Sequence, residues 1–311
     1  MRIAIISDVH GNYPALVKVI EDAVANKVDK FIFAGDYIFD LPFSNEVVRL
    51  LMKLENAHII KGNKENYLKN LANDNQDNWT FDQFAVVYQT FRELTPDVYN
   101  FLINLDDECH IEITPGFSVY AAHFPVNIKL TPKLALLGSA NYRKRMLEKS
   151  FTHEQFLTEF NNLLNCDELK SQINKINADV IIFGHNHLQA YGYCGDKLII
   201  NPGSCGQPLE FDPTAPYTIL EITDGGFNVT EKRVAYDIES MINQAKKSAM
   251  YEKGRIWGEL VFLATRTGRD YFGVFFEIAH KIALSKNEKG AFFSNSTWDE
   301  AYQVFINRKQ T

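Results

Sequence analysis

Cysteine is scarce in this chain: four among 311 residues, Cys109, Cys166, Cys194 and Cys205, with no C-x-x-C pair. That scarcity excludes a disulfide-dense secreted scaffold and a thiolate zinc site, and it leaves free thiols in a reducing cytoplasm as the expected state. Basic residues are not in excess either, because 32 Lys plus Arg stand against 39 Asp plus Glu, for a net charge of −7. A broad grip on a nucleic-acid backbone needs dense Lys and Arg, so extended nucleic-acid binding is excluded; a small phosphorylated substrate is not. No apolar run reaches the ~20 residues of a membrane-spanning helix, and Asp8 comes too early for the apolar stretch of a secretory signal. There is no low-complexity linker and no internal repeat.

With 46% hydrophobic residues the chain has the material for a large core plus an appendage. Arg2-Ile3-Ala4-Ile5-Ile6 reads as a strand, Ala15, Leu16, Val19, Ile20 and Val24 fall at helical spacing, and Phe31 to Ala34 returns as a strand. Ser44 is a candidate N-cap for a helix with Val47, Val48, Leu50, Leu51 and Leu54 on its apolar face, before a strand at Ala57 to Ile60. This βαβαβ order implies a mostly parallel sheet.

Helical inserts are predicted at about 78–105, opened by Thr80-x-x-Gln83, and at about 132–176, with Thr152-x-x-Gln155 and an N-cap at Asp167. Short strands follow at Gln189 to Cys194, Lys197 to Ile200, Tyr217 to Ile222 and Phe227 to Val234, with turn chemistry at Gly195-Asp196 and Asp224-Gly225-Gly226. Beyond Tyr236 the pattern is helical to the end, the last helix opened by Thr297-x-x-Glu300. The expected domains are a core over 1–236 and a C-terminal helical appendage over 237–311, which covers the core or a second copy of the chain.

Chemistry is concentrated in five islands, each after an apolar, β-prone run: Asp8-x-His10, Gly35-Asp36, Gly62-Asn63, His123 and Gly184-His185-Asn186-His187. Two Asp, one Asn and four His at strand ends form an oxygen-and-imidazole set suited to borderline divalent or trivalent metals. In an extended segment, side chains two apart point the same way, which predicts that Asp8 with His10, and His185 with His187, each grip one ion. The set points to a two-metal hydrolase.

The series DVH, GD, GN, H and GHNH over roughly residues 1–235 resembles the calcineurin-like metallophosphoesterase superfamily, particularly its small bacterial branch. The resemblance implies an α/β fold, a four-layer sandwich of two facing mixed β-sheets flanked by helices. It implies that Asp8, His10 and His187 hold one metal, that Asn63, His123 and His185 hold a second, and that Asp36 bridges them. The metals would be Mn, Fe, Zn or Co, and a hydroxide shared by the two ions would attack phosphorus in line. Many members carry His directly after the Gly-Asn pair; here the residue is Lys64, a poor proton donor near neutral pH. The activity implied is hydrolysis of a phosphodiester or nucleotide-like ester, with a phosphoprotein phosphatase or a catalytically decayed metal-binding regulator as rivals.

Asn12, Lys64, Asn201 and Ser204 are the expected contacts to substrate. His58, His110, His153 and His280 match no motif and read as ordinary surface or core histidines. Phe81, Phe84, Tyr88 and Phe91 read as packing of the first insert, with a stacking platform as the alternative. Arg143-Lys144-Arg145, with Lys129 and Lys133, reads as a solvated charge run rather than a phosphate grip.

Overall fold

Successive side chains of a strand point to opposite faces, and in this chain both faces are apolar. In β1 (Arg2–Ile6) and β2 (Lys30–Ala34), Ile3, Ile5, Ile32 and Ala34 face one way while Ala4, Ile6, Phe31 and Phe33 face the other. In β6 (Val180–Ile182) and β8 (Lys197–Pro202) the same split puts Val180, Ile182, Leu198 and Ile200 inward and Ile181 and Ile199 outward. Sheets that are apolar on both sides must be covered on both sides. The result, in a computed structural model describing residues 1–124, 129, 152–223 and 226–309, is two facing five-stranded sheets with helices outside.

The first sheet runs β10-β9-β1-β2-β3, with β3 at Ala57–Ile60, β9 at Ala215–Thr223 and β10 at Gly226–Val234. Its β1, β2 and β3 are parallel and β9 and β10 antiparallel, so the sheet is mixed. The second runs β4-β5-β6-β8-β7, with β4 at Glu108–Thr114, β5 at Phe117–Ala122 and β7 at Gln189–Cys194. Here β5, β6 and β8 are parallel. Between the sheets lies a dry layer of Ile3, Ile5, Ile32, Val119, Val180, Ile182 and Ile200, each at most 1% exposed. Shortening one of them to Ala would cost about 2–5 kcal/mol.

On the outer face of the first sheet sit the helices Tyr13–Ala25 and Ser44–Leu51, and on that of the second the helices His153–Leu164 and Asp167–Ile173. The capping box at Thr152 and Gln155 forms as predicted, with both reciprocal hydrogen bonds. Four other predicted starts do not. Ser44 accepts the Phe39 N–H from inside the first turn instead of capping it. The Thr80 carbonyl accepts from Asn295 Nδ2, and Asn295 Oδ1 takes the Asp82 N–H, so a contact with the last helix replaces the local cap. The insert therefore begins as a 3-10 turn at Asp82–Phe84 before the helices Ala85–Glu93 and Pro96–Ile103. The last helix, Asn295–Lys309, is opened by Ser294, whose Oγ accepts the Thr297 N–H, while Thr297 Oγ1 bonds Glu288. Asp167 is a first-turn residue, behind Cys166 at the cap.

After Tyr236 come the helices Ile238–Ala245, Ala249–Lys253, Arg255–Thr267 and Phe272–Ser285 before the last one. They bury a cluster of their own around Leu260, Phe275, Trp298 and Phe305. A second cluster joins Met241, Ile242, Val261 and Phe262 to Leu41, in the loop that leaves β2. The first insert packs against the tail too: Phe81 and Phe84 meet Phe292 edge-on, while Tyr88 stacks on Trp79 within the insert. Residues 132–151 of the second insert, with Lys133, Arg143, Lys144 and Arg145, lie outside the described residues.

Candidate metal centre

The parallel strands β1, β2 and β3 end side by side, and β5 and β6 end against them across the sandwich. The backbone there is not extended, contrary to the sequence expectation. Asp8, His10, Asp36, His185 and His187 all have positive φ, at 54°, 49°, 57°, 69° and 64°. A left-handed residue costs roughly 1–2 kcal/mol, and such strain persists only where surrounding structure enforces it. Here the first two loops zip together, with Asp8 N–H donating to Gly35 O and His10 N–H to Asp36 O, both at 3.0 Å. The glycines before the ligands permit close approach: a Cβ on Gly62 would lie 2.2 Å from Asp36 Oδ1, and one on Gly184 2.0 Å from Ser7 Oγ.

Three imidazoles are pinned by one nitrogen and aimed by the other. His10 Nδ1 lies 2.8 Å from Asp40 Oδ2, His123 Nδ1 2.7 Å from Ala34 O and His187 Nδ1 2.9 Å from Gln207 O. For His123 and His187, Nδ1–H donating to a carbonyl leaves Nε2 as the lone-pair atom, which is how metal-binding histidines are usually oriented, while His10 is placed by its ion-pair contact with Asp40. The Nε2 atoms of His10 and His187 come within 3.1 Å of each other and lie 3.6 and 3.2 Å from Asp8 Oδ1. Asp36 Oδ2 lies between the halves, 4.0 Å from His10 Nε2 and 3.4 Å from His123 Nε2. Asn63 Oδ1 is 3.2 Å from His123 Nε2 and 3.0 Å from His185 Nδ1.

Two groups thus present ligand atoms within 4.8 Å of one another: Asp8, His10 and His187, and Asp8, Asp36 and His123. Among the described residues Asp8 Oδ1 is buried with no hydrogen-bond donor, which for a carboxylate oxygen costs several kcal/mol unless a cation serves it. Donor chemistry and spacing both fit metal ions, whose bonds to N and O are about 2.0–2.2 Å.

Charge agrees with this. Burial opposes ionisation of Asp8 and Asp36, but His123 and its neighbours outweigh it, holding Asp8 well below the usual carboxylate range and Asp36 at about 2. Burial likewise opposes a charged His10 and His123, yet Asp40 and Asp8 raise the first to about 9, and Asp36 and Asp8 raise the second to about 10. The cluster is a concentration of negative charge that binds cations, protons included.

All seven predicted ligand residues are therefore brought together. Three of the predicted substrate contacts are not available for that role, because their polar atoms are engaged within the fold. Asn12, fully buried, gives Nδ2 to Gly206 O and Tyr236 Oη and takes the Ala15 N–H. Asn201 gives Nδ2 to Gly184 O and Asn186 Oδ1 and takes the Gly203 N–H. Ser204 Oγ donates to Asp8 O and accepts the Gln207 N–H. Asn201 and Ser204 instead hold the loops that present Asp8, His185 and His187. Lys64 does lie at the site: its N–H donates to Asp36 Oδ1 at 2.8 Å, and Nζ is 3.3 Å from Asp40 Oδ2. Burial works against its ammonium, but Asp40 and then Asp36 raise its pKa above the ordinary lysine value.

Three residues escaped the sequence reading. Asp40 orients His10, takes the Trp257 Nε1–H at 2.8 Å and faces Lys64. Its only local signal is its place four residues after Asp36. Glu65 accepts the N–H groups of Asp36, Tyr37 and Gly62, tying the loop after β2 to the loop after β3. Trp257 comes from the C-terminal helices and has no local signal at all. A cavity of about 490 Å³ opens on Asn63, His123 and His185.

A four-layer sandwich whose strand ends carry clustered histidines and carboxylates is the architecture of a metallophosphoesterase. Residues 1–225 match the family model described as calcineurin-like phosphoesterase superfamily domain, and the chain belongs to that superfamily. It is 24% identical over 277 residues to an uncharacterized protein, MJ0912, of Methanocaldococcus jannaschii, covering 84% of this chain and 97% of that one. Among solved structures, it is similar to a metallophosphoesterase from Sphaerobacter thermophilus, with a TM-score of 0.59, 23% identity, and 86% and 100% of the two chains covered. It is also similar to the hypothetical protein PH1004 from Pyrococcus horikoshii OT3, with a TM-score of 0.56, 15% identity, and 82% and 97% covered.

Proposed function

We propose that the protein is a dinuclear metal-dependent phosphoesterase that hydrolyses a phosphodiester or nucleotide-like phosphate ester in the cytoplasm. The observation that carries this reading is the convergence of three pinned Nε2 atoms on the Asp8 and Asp36 carboxylates, with one Asp8 oxygen lacking a hydrogen-bond donor among the described residues. Asp8, His10 and His187 would hold one ion and Asn63, His123 and His185 the other, with Asp36 available to both. Mn, Fe, Zn or Co would supply Lewis acidity and, at neutral pH, a nucleophile from water.

The chain's own groups set the rest. Asp40, Ala34 O and Gln207 O hold the rings of His10, His123 and His187 so that neutral Nε2 faces the ions. The cavity beside Asn63, His123 and His185 admits the ester. Lys64 offers a fixed positive charge to a phosphoryl oxygen; held protonated by Asp40, it is a weak proton donor to the leaving group. That favours esters whose leaving groups depart unassisted.

Metal-loaded protein should release nitrophenol from bis(4-nitrophenyl) phosphate faster than it dephosphorylates phosphoserine peptides. Asp36→Asn should abolish this and lower metal content while leaving the fold intact. A folded Asp36→Asn variant with near-normal activity sinks the assignment. Faster turnover of phosphopeptides favours the phosphoprotein phosphatase, and no turnover of any ester with any of the four metals favours a binding role.

A further inference from the structure

Next to the metal centre lies a second cavity, of about 570 Å³, whose walls come from three separate parts of the chain. The helix Asn63–Asn73 contributes Lys64, the first insert contributes Gln83 and Phe84, and the C-terminal helices contribute Trp257, Phe276 and Phe292. Its size lies within the range of small-molecule sites, about 300–1,000 Å³. It is joined to the centre by one carboxylate. Asp40 takes the Trp257 indole N–H through Oδ1, while its Oδ2 faces His10 Nδ1 and Lys64 Nζ.

Two features of the walls specify an occupant. Phe276 and Phe292 are 36% and 50% exposed, unusual for rings that line a recess amid other aromatics. Gln83 is 8% exposed, and among the described residues its Nε2 has no hydrogen-bond partner. A buried amide donor left unpaired costs about as much as a lost hydrogen bond, so an acceptor on a bound molecule would relieve it. Reaching that acceptor takes a turn of the terminal amide, a torsion with a broad energy profile. Flat rings, one spare donor and a lysine at the metal end match a planar heteroaromatic group carried on a phosphate.

We propose that this cavity holds the nucleobase-like part of the substrate, with Lys64 between it and the phosphorus, so that the C-terminal helices form half of the specificity site. The proposal rests on the phosphoesterase reading and makes it more specific. Base–aromatic stacking is sequence-tolerant, so the site would select for a base rather than for one particular base.

The test compares two diesters with the same leaving group, the 4-nitrophenyl esters of thymidine 5′-phosphate and of methyl phosphate, on metal-loaded protein. Wild type should show kcat/KM about tenfold or more in favour of the thymidine ester, mostly through KM. Phe292→Ala and Phe276→Ala should each cut that preference several-fold; both rings are partly exposed, so folding should survive. Equal kcat/KM for the two esters, or a preference untouched by both variants, overturns the proposal. Calorimetry on chelator-treated protein provides a second readout without turnover. Thymidine 5′-monophosphate should bind about tenfold tighter than 2-deoxyribose 5-phosphate, and Phe292→Ala should remove the difference. Equal or absent binding of the two overturns the cavity's role. Failure to cleave either ester with any metal sinks the phosphoesterase reading and leaves the calorimetry to judge the cavity.

Discussion

Loading the two metals should release protons, and the number follows from the histidines. With pKa values of about 9 and about 10, His10 and His123 are both protonated in the metal-free protein at neutral pH. Each must lose its proton to present Nε2 as a ligand. At about 1.4 kcal/mol per pH unit, deprotonation at pH 7 costs roughly 3 kcal/mol for His10 and roughly 4 kcal/mol for His123. The overall constant for loading both ions should therefore rise about a hundredfold per pH unit from neutrality to pH ~9, more slowly to pH ~10, and then level off.

Stability of the metal-free protein should move the other way. Both groups have folded-state values above the unfolded 6.5, so their contribution is complete below about pH 6.5 and is lost as pH rises through about 9 and about 10. Calorimetric Mn²⁺ titrations at pH ~7 in buffers of different ionisation enthalpy count the protons directly, and about two should come from this pair. Loading with no proton released, or a pH-independent affinity between pH ~6.5 and ~9, would refute the electrostatic account of the site.

Other consequences can be checked separately. Trp257→Phe keeps an aromatic six-membered ring but removes the pyrrole half of the indole with its N–H to Asp40; a hydrogen bond to a carboxylate is worth about 1.5–3 kcal/mol, so denaturant unfolding should show at least that loss, together with weaker metal binding through a less constrained His10. Lys64→Ala should raise KM for charged esters, and Lys64→His should narrow the gap between good and poor leaving groups; if neither variant changes kcat or KM across a leaving-group series, Lys64 has no part in the reaction. Ending the chain at Ser240 removes Met241, Ile242, Val261 and Phe262 from their contact with Leu41 and should yield insoluble protein; a soluble, fully active fragment would count against that packing.

Most strands and helices of the core and the seven candidate ligand residues were legible in the sequence because both depend on local signals, whereas the strand Glu108–Thr114 and the helix Asn63–Asn73 were not read. Apolar runs with both faces buried read as strands, and Gly-Asp, Gly-Asn and Gly-His at their ends mark places where a Cβ would strike a neighbour: the Gly62 backbone and His123 ring at Gly35, the Asp36 carboxylate at Gly62, and the Ser7 hydroxyl at Gly184. The superfamily followed from the order of those islands. What the local pattern misread was whatever a distant contact decides. Thr80 and Thr297 look like helix caps, yet Asn295 and Ser294 take over those starts. Asp8 and His10 look like neighbours on an extended strand, but the hydrogen bonds to Gly35 and Asp36 turn them left-handed.

Asn12, Asn201 and Ser204 look like phosphate contacts because they are polar residues near the ligands. Only the assembled loops show that their hydrogen bonds are used to hold those ligands in place. Asp40 and Trp257 stand 217 residues apart and meet at His10, a contact that no periodicity or spacing could reveal. The sequence by itself determined which candidate donor groups gather at the strand ends, since that is a matter of donor chemistry. The tertiary structure decided what orients them and what surrounds them, because orientation and enclosure come from groups brought together only when the sheets and the C-terminal helices pack.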